Sequence, residues 1–473
     1  MEILNKIISS INSSNATAEA LPAIYFIGIG GIGMSALARY FNAKGCQVSG
    51  YDKTETILCK QLQAEGIQIH YQDSVALINK NAALVVYTPA IPKGHTELAF
   101  YQQHNYVVVK RSDVLGAITN TSFNICIAGT HGKTTTSTMV AHILRHSNFG
   151  CNAFLGGIAA NYNSNFWSNP KNVCVVEADE YDRSFLKLSP DIAIITSMDA
   201  DHLDIYGTAE NVEQAFIDFS AKVKQGGWLI SKYGLPRSAD LVSAMHITYH
   251  ASNDKASVYA SNIKMLNGTY QFDVCTNNKS WQINEVVLKM GGMHNVENVL
   301  AAITVAHHAG ISHEKIKAAV ADFKGVKRRF EYIIGPSTNE NAVIQIDDYA
   351  HHPEELRKLI DGAKNLFPAK KCTLIFQPHL YSRTQDFALG FAQVLDMADE
   401  VILLPIYPAR ELPIPGVTSE MIMGLMKNKQ VKVLAKDDVV AEIIRTKKSM
   451  IITAGAGDID VLVQPIQQAI KNL

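Results

Sequence analysis

Two glycine-rich turns offer the first chemistry that can be read from this chain. Gly28-Ile29-Gly30-Gly31-Ile32-Gly33 follows an apolar run and precedes a helical stretch from Met34 to Ala43. It matches G-x-G-x-x-G, in which small residues let the backbone approach a diphosphate and a helix N-terminus offers it unpaired amides. Asp52 stands about 20 residues on, at the end of the next apolar run, where an acid can hold a ribose hydroxyl. Gly28, Gly30, Gly33 and Asp52 are therefore substrate-binding candidates. The motif does not name the nucleoside. NAD, another diphosphate such as a UDP-sugar, and a tight turn without a ligand all fit it.

The second turn is Ala128-Gly129-Thr130-His131-Gly132-Lys133-Thr134-Thr135-Thr136. Its G-K-T core has the chemistry of a P-loop. Backbone amides cradle phosphate oxygens, Lys133 reaches the β- and γ-phosphates, and the Thr134 hydroxyl ligates Mg²⁺. Gly129 through Thr135 are the ATP-binding candidates. The spacing is shorter than G-x-x-x-x-G-K-[ST], with Ile127 where the first glycine belongs. A dehydrogenase needs only the first turn and a simple ATPase only the second. Together they suggest that a nucleotide-bearing substrate meets ATP.

Acids and histidines cluster after the apolar runs. Glu177-Ala178-Asp179-Glu180-Tyr181-Asp182 follows Val173–Val176, and a carboxylate at such a strand end near a P-loop is where Mg²⁺ is held. Glu177 is the candidate, against a solvated acidic loop. His202, within Asp199-Ala200-Asp201-His202-Leu203-Asp204, is a candidate for metal or phosphate contact. Asn295 opens a helix rich in Ala and Val; its amide suits an adenine edge or a helix cap equally. Lys327-Arg328-Arg329 reads as a solvated face or as a basic pair closing on triphosphate. Asp347-Asp348-Tyr349-Ala350-His351-His352 and Gln377-Pro378-His379-Leu380-Tyr381-Ser382-Arg383 end two further strands and would line one crevice of a parallel sheet. A transition-metal site at His351 and His352 with Asp348 lacks a further ligand of metal spacing.

The elements that must carry these residues alternate short β runs with helical stretches, the pattern of α/β folds with parallel sheets. At 473 residues, about 150 per domain predicts three domains. The boundaries fall at 1–119, 120–332 and 333–473, the second marked by the loop-like Gly335–Asn341. The expected strands are Ile24–Ile27, Val48–Tyr51 and Leu84–Tyr87, then Asn124–Ala128, Val173–Val176 and Ile192–Thr196, then Ala342–Ile346, Thr373–Phe376, Val401–Leu404 and Met450–Thr453. The 43 basic and 44 acidic residues balance, so nothing points to nucleic acid or an anionic membrane. Seven scattered cysteines without a C-x-x-C pair fit reduced thiols. Met1–Ala20 lacks the pattern of a signal peptide, and no apolar run approaches the ~20 residues of a membrane span. The cytoplasm is the expected compartment.

Taken together, GIGGIGMSALA, GTHGKTTTSTM, EADEYDRSF, DADHLD, MHNVENVLAA, VKRRFE, DDYAHHP, QPHLYSRT and TAGAGDID, in that order, resemble the Mur ligases of peptidoglycan synthesis. The resemblance implies a Rossmann-like UDP-binding domain, a central P-loop ATPase-type domain and a C-terminal Rossmann-like domain. It implies a catalysed amide bond with UDP-N-acetylmuramate and L-alanine as substrates, ATP as cofactor and two Mg²⁺ ions. Gly28, Gly30, Gly33 and Asp52 would bind the UDP part and Gly129–Thr135 the ATP phosphates. Thr134 and Glu177 would hold one metal and His202 the second. Asn295 would contact adenine, and Arg329 with Asp348 would clamp the nucleotide. Lys133, His351, His379 and Arg383 would be catalytic, with Tyr349, His351 and Arg383 on the amino-acid side and His351 or His379 as the amine base.

Two departures bear on the branch of the family. Arg often stands at the position of Leu380, which leaves Arg383 to orient the amino-acid carboxylate. Sister ligases carry a carbamoylated lysine near Phe216; Val212–Phe219 holds none, as in the alanine-adding branch. The competing expectations are a ligase loading a tripeptide onto the same sugar and a non-catalytic nucleotide-binding regulator. A monomer or weak homodimer is expected.

Overall fold

The computed structural model describes residues 2–12, 21–266, 268–337, 339, 341–409 and 411–472. By packing, the chain divides into two compact units. The first is Met1–Ala260, Val274–Gln282 and Glu297–Val320; the second is Ser261–Asp273, Ile283–Val296 and Ala321–Leu473.

The first unit opens with a sheet of five parallel strands, β1 (Ala23–Ile27), β2 (Gln47–Tyr51), β3 (Gln68–His70), β4 (Leu84–Tyr87) and β5 (Val108–Lys110), ordered β3-β2-β1-β4-β5. Ile24 and Phe26 pack into one apolar layer, and Tyr25 and Ile27 into the opposite one. Both faces are thus covered, which is why β1 reads as an unbroken apolar run. The strand order reverses beside β1, so the crevice for a ligand opens where the first glycine turn leaves that strand.

The same unit holds β6 (Phe123–Ala128), β7 (Asn152–Ala159), β8 (Ser164–Trp167), β9 (Val173–Glu177), β10 (Ile192–Ile195), β11 (Trp228–Lys232) and β12 (His246–His250). Their order is β12-β11-β10-β6-β9-β7-β8, parallel except for the β7–β8 hairpin. β6, which feeds the second glycine turn, lies between β10 and β9, so the two acid-bearing strand ends flank it. β13 (Val258–Leu266), β14 (Thr269–Thr276) and β15 (Gln282–Leu288) follow in the chain. The second unit carries a sheet of β16 (Glu331–Ile334), β17 (Ile344–Asp348), β18 (Cys372–Phe376), β19 (Glu400–Leu403), β20 (Val431–Val433) and β21 (Met450–Ala454). Its order is β16-β17-β21-β18-β19-β20, with only β16 antiparallel.

The α/β architecture, built on three sheets, is as the sequence predicts, with most strand ends shifted by one or two residues. Glu2–Asn12 is a helix: Leu4, Ile8 and Ile11 recur at helical spacing, are buried, and the helix packs on the helix Arg111–Thr121. That second helix runs to Thr121, and β6 begins at Phe123. Residues 13–20, and Thr338 and Glu340 of the expected second boundary, lie outside the described residues.

β2 approaches β1 closely enough to exclude a side chain at Gly50. A Cβ there would lie 2.3 Å from the Phe26 carbonyl oxygen and 3.1 Å from Ile29. Overpacking of this kind costs about 3 kcal/mol, so Gly50→Ala is expected to lower the thermal unfolding midpoint by several degrees. An unchanged midpoint would contradict the strand spacing.

Candidate active site

The helix after β1 starts at Ile32, with Gly31 as its N-cap and no side chain supplying the cap. Its first amides are therefore available to an anion. Asp52, expected to meet a ribose, spends both carboxylate oxygens on its own surroundings: Gly30 N–H donates at 2.8 Å and Thr54 N–H at 3.1 Å. In this state Asp52 shapes the glycine turn. The turn lines a cleft of about 1120 Å³ that reaches Asp52, His95, Arg111, Gly156 and Glu177. The cleft is thus lined both by the first glycine turn and by the carboxylate expected to hold a metal.

At the second turn, Gly132 is the N-cap of the helix Lys133–His146 and sits at φ +82°, in the left-handed region that glycine adopts without strain. Lys133 Nζ donates to the Gly129 carbonyl at 2.7 Å and pairs with Glu180 at 2.8 Å. Thr134 Oγ1 donates to Glu177 Oε1 at 3.1 Å, and Gly156 N–H donates to Glu177 Oε2 at 3.0 Å. Burial pushes the Glu177 carboxyl above its ordinary range, against the pull of nearby Lys133. Glu180 is raised for the same first reason, again opposed by Lys133. Thr130 and His131 are tied to β10: Thr130 Oγ1 and Ser197 Oγ lie 2.9 Å apart, and His131 N–H donates to Ser197 Oγ at 2.8 Å. Thr135 is buried on the helix.

His202 lies at φ +52°, with Nε2 3.8 Å from Asp201 and 4.0 Å from Glu180. Ligand atoms of Glu180, Asp201 and His202 all fall within 4.8 Å of one another, a spacing that one cation can bridge. A carboxylate with a hydroxyl, and two carboxylates with an imidazole, are donor sets that accept Mg²⁺, the first being all oxygen.

The second unit gathers the remaining candidates. Asn295 is buried inside the first turn of the helix Met293–His308, and its Nδ2 donates to the Gly291 carbonyl; it does not sit at the cap position. Asp348, at the end of β17, accepts Phe330 N–H at 2.6 Å and Ala350 N–H at 2.7 Å. Burial lifts its carboxyl to about 6, with Arg329 opposing, and lifts neighbouring Asp347 to about 7 although Arg328 pairs with it at 3.3 Å. Desolvation outweighs the ion pair there. His351 and His379 have ring centroids 6.2 Å apart, and burial lowers both imidazoles below the usual value. Arg383 Nη1 lies 3.3 Å from His379 Nδ1, and the Tyr407 ring stacks on His379. Tyr349 is partly exposed, with the Arg328 guanidinium 5.1 Å from its ring centre. His352 caps the helix Pro353–Leu366, and Asp348 is engaged by amides. The Asp-His-His metal alternative is therefore not assembled. Leu380 lies at φ +68°, where a leucine is strained, and its N–H donates to the Tyr407 carbonyl at 2.9 Å.

Four residues enter only through the structure. Glu180 pairs with Lys133, and Gly156 anchors Glu177. Arg111 lines the cleft and meets Asp179 at 3.3 Å. Glu411 holds the turn carrying His379 and Arg383 by accepting from Ser382 N–H at 3.0 Å and from its hydroxyl. Only Glu180 had a sequence signal, three residues from Glu177 in the same acid run.

Three family models match successive segments: the Mur ligase family catalytic domain over residues 23–122, the Mur ligase middle domain over 127–306 and the Mur ligase glutamate ligase domain over 328–459. The UDP-N-acetylmuramate–L-alanine ligase of Cytophaga hutchinsonii is 46% identical over 454 residues, covering 94% of this chain and 96% of the relative. That of Porphyromonas gingivalis is 46% identical over 463 residues, covering 95% and 99%. Among solved structures, the UDP-N-acetylmuramate-alanine ligase of Thermotoga maritima superposes with a TM-score of 0.79 at 28% identity, covering 95% of this chain and 99% of that one. A murein peptide ligase from Psychrobacter arcticus shares the fold, with a TM-score of 0.65 at 24% identity and coverage of 96% and 99%. On these matches the chain belongs to the Mur ligase family.

Proposed function

We propose that this chain joins L-alanine to the lactyl carboxylate of UDP-N-acetylmuramate, with ATP converted to ADP and phosphate, as a cytoplasmic step of peptidoglycan precursor synthesis. The observation that carries the reading is the single cleft running from the first glycine turn to Glu177. The printed activity of the relatives at 46% identity agrees with it. No helix among the described residues is long and apolar enough to cross a membrane. A monomer or weak homodimer is part of the proposal.

A free carboxylate resists amine attack because oxide is a poor leaving group. In the proposed sequence the sugar's carboxylate oxygen attacks the γ-phosphorus and ADP leaves, giving an acyl phosphate. The alanine nitrogen then attacks the acyl carbon, and inorganic phosphate departs as the amide forms.

The amides before Ile32 and the loop held by Asp52 bind the diphosphate and place the sugar acid along the cleft. Gly129–Thr135 wrap the triphosphate, and Lys133 exchanges Glu180 for phosphate oxygens. Thr134 with Glu177, and His202 with Glu180 and Asp201, are the residues that would hold two magnesium ions, which when bound neutralise the charge shared by carboxylate and triphosphate. Asn295 serves the adenine, with Arg329 and Asp348 on the rest of the nucleotide. His351 and His379, whose imidazoles burial shifts toward the neutral form, are suited to take the proton of the alanine ammonium. Tyr349 borders the amino-acid side, and Arg383 orients the alanine carboxylate.

ADP release measured with UDP-N-acetylmuramate and L-alanine, against omission of each and against tripeptide in place of alanine, is expected to require both substrates and to favour alanine. No release with L-alanine present, or faster release with tripeptide, would overturn the assignment. Lys133→Ala is expected to cut turnover by about 100- to 1,000-fold while titration calorimetry still finds UDP-N-acetylmuramate bound; loss of both together would mean the two turns are misassigned. A Cβ at Gly156 would lie 2.3 Å from Glu177 Oε2. Gly156→Ala should therefore displace that carboxylate and lower kcat by about 100-fold, with an unchanged melting temperature; wild-type kcat would show that Glu177 does not serve the reaction.

A further inference from the structure

A buried polar clamp joins the helix after the first glycine turn to the β7–β8 hairpin in the sheet of the second. Asn165, in β8, is fully buried although it belongs to the sheet of the second turn and faces the helix of the first. Its Nδ2 donates to the Ile32 carbonyl at 2.6 Å and to Ser35 Oγ at 3.0 Å, while Ser35 Oγ donates to the same Ile32 carbonyl at 2.9 Å. Its Oδ1 accepts from Arg39 Nη1. Arg39, 6% exposed, is held in turn by both carboxylate oxygens of Glu65. Every polar group in this set is satisfied, and each holds its neighbour in one geometry.

The clamp grips both functional ends. Ile32 opens the helix whose preceding amides face the cleft. On the other side, β8 pairs antiparallel with β7, Phe154 opposite Phe166. Phe154, Phe166 and Tyr40 of the diphosphate helix pack together, with ring centroids 5.3–6.3 Å apart. The pairing of β7 with β8 is irregular between Phe154 and Ala159, and Gly156 lies in that stretch, with its N–H on Glu177. A shift of the first turn of the diphosphate helix therefore moves the hairpin, and with it the donor that fixes the metal carboxylate.

Resting on the function proposed above, we infer that Asn165 is a positioning residue that couples the two substrates: UDP-sugar on the first glycine turn strengthens binding of magnesium nucleotide at the second, and the reverse. Such coupling is reciprocal and typically about five- to 150-fold. Asn165→Asp keeps an acceptor for Arg39 but loses the amide donor to Ile32 and Ser35. Asn165→Ala loses both.

The test is calorimetric titration of the full-length protein with UDP-N-acetylmuramate, alone and with saturating Mg²⁺ and a non-hydrolysable ATP analogue. The wild type is expected to bind the UDP-sugar about fivefold or more tightly with nucleotide present. Asn165→Asp should bind each ligand alone within about twofold of wild type but show a ratio near one, and Asn165→Ala should share that ratio. A residue with a merely structural role would weaken both ligands or lower the melting temperature and leave the ratio intact. A wild-type ratio of one, or an undiminished ratio in Asn165→Asp, overturns the inference and leaves the functional reading standing. Failure of wild-type protein to bind UDP-N-acetylmuramate at all overturns that reading instead, and the inference with it.

Discussion

Glu177 is fixed from three sides, and the organisation of the first unit follows from that constraint. It ends β9 beside the strand that feeds the second glycine turn. One oxygen takes the Thr134 hydroxyl and the other the Gly156 amide. A carboxylate stripped of water in this way is held above its ordinary pKa and is costly to keep charged. A divalent cation offsets that cost more completely than two neutral donors can. Under the proposed function, Glu177 would meet an ion that arrives with the nucleotide, in the cleft that also holds the first glycine turn.

The same reasoning applies to Lys133. Its ammonium is paired with buried Glu180, so neither group is left uncompensated before a triphosphate enters. When phosphate oxygens take over Lys133, Glu180 is left beside Asp201 and His202, which between them can again satisfy a cation. Under the proposed function, charge in this site would stay partnered while the partner changes. In the second unit burial works differently. It shifts His351 and His379 toward the neutral imidazole and lifts Asp347 to about 7 and Asp348 to about 6 even beside arginines, which brings those two carboxyls close to neutral pH.

Much of this was legible in the sequence because it is local. Each glycine turn, with the strand before it and the helix after it, lies within one continuous stretch, Ala23–Ala43 and Phe123–His146, and strand ends mark where side chains enter a crevice. The α/β class was legible from alternation and the count of three domains from chain length. Contacts made at long sequence separation were not. Asn165 and Ile32 are 133 residues apart, and nothing near Asn165 distinguishes it from other hairpin asparagines. Gly156 acts by lacking a side chain. The first helix was hidden because its three buried residues lie in a polar, serine-rich segment. Asp52 shows the converse: its position was read correctly, but its carboxylate oxygens are already committed to backbone amides.

The central claim is that the sugar's carboxylate attacks phosphorus at the Glu177 end of the cleft. Labelling the lactyl carboxylate of UDP-N-acetylmuramate with ¹⁸O and weighing the released phosphate by mass spectrometry tests it most directly. The account predicts one ¹⁸O atom in the phosphate for each amide bond formed from doubly labelled carboxylate. Unlabelled phosphate, with the second ¹⁸O released into water instead, would contradict it.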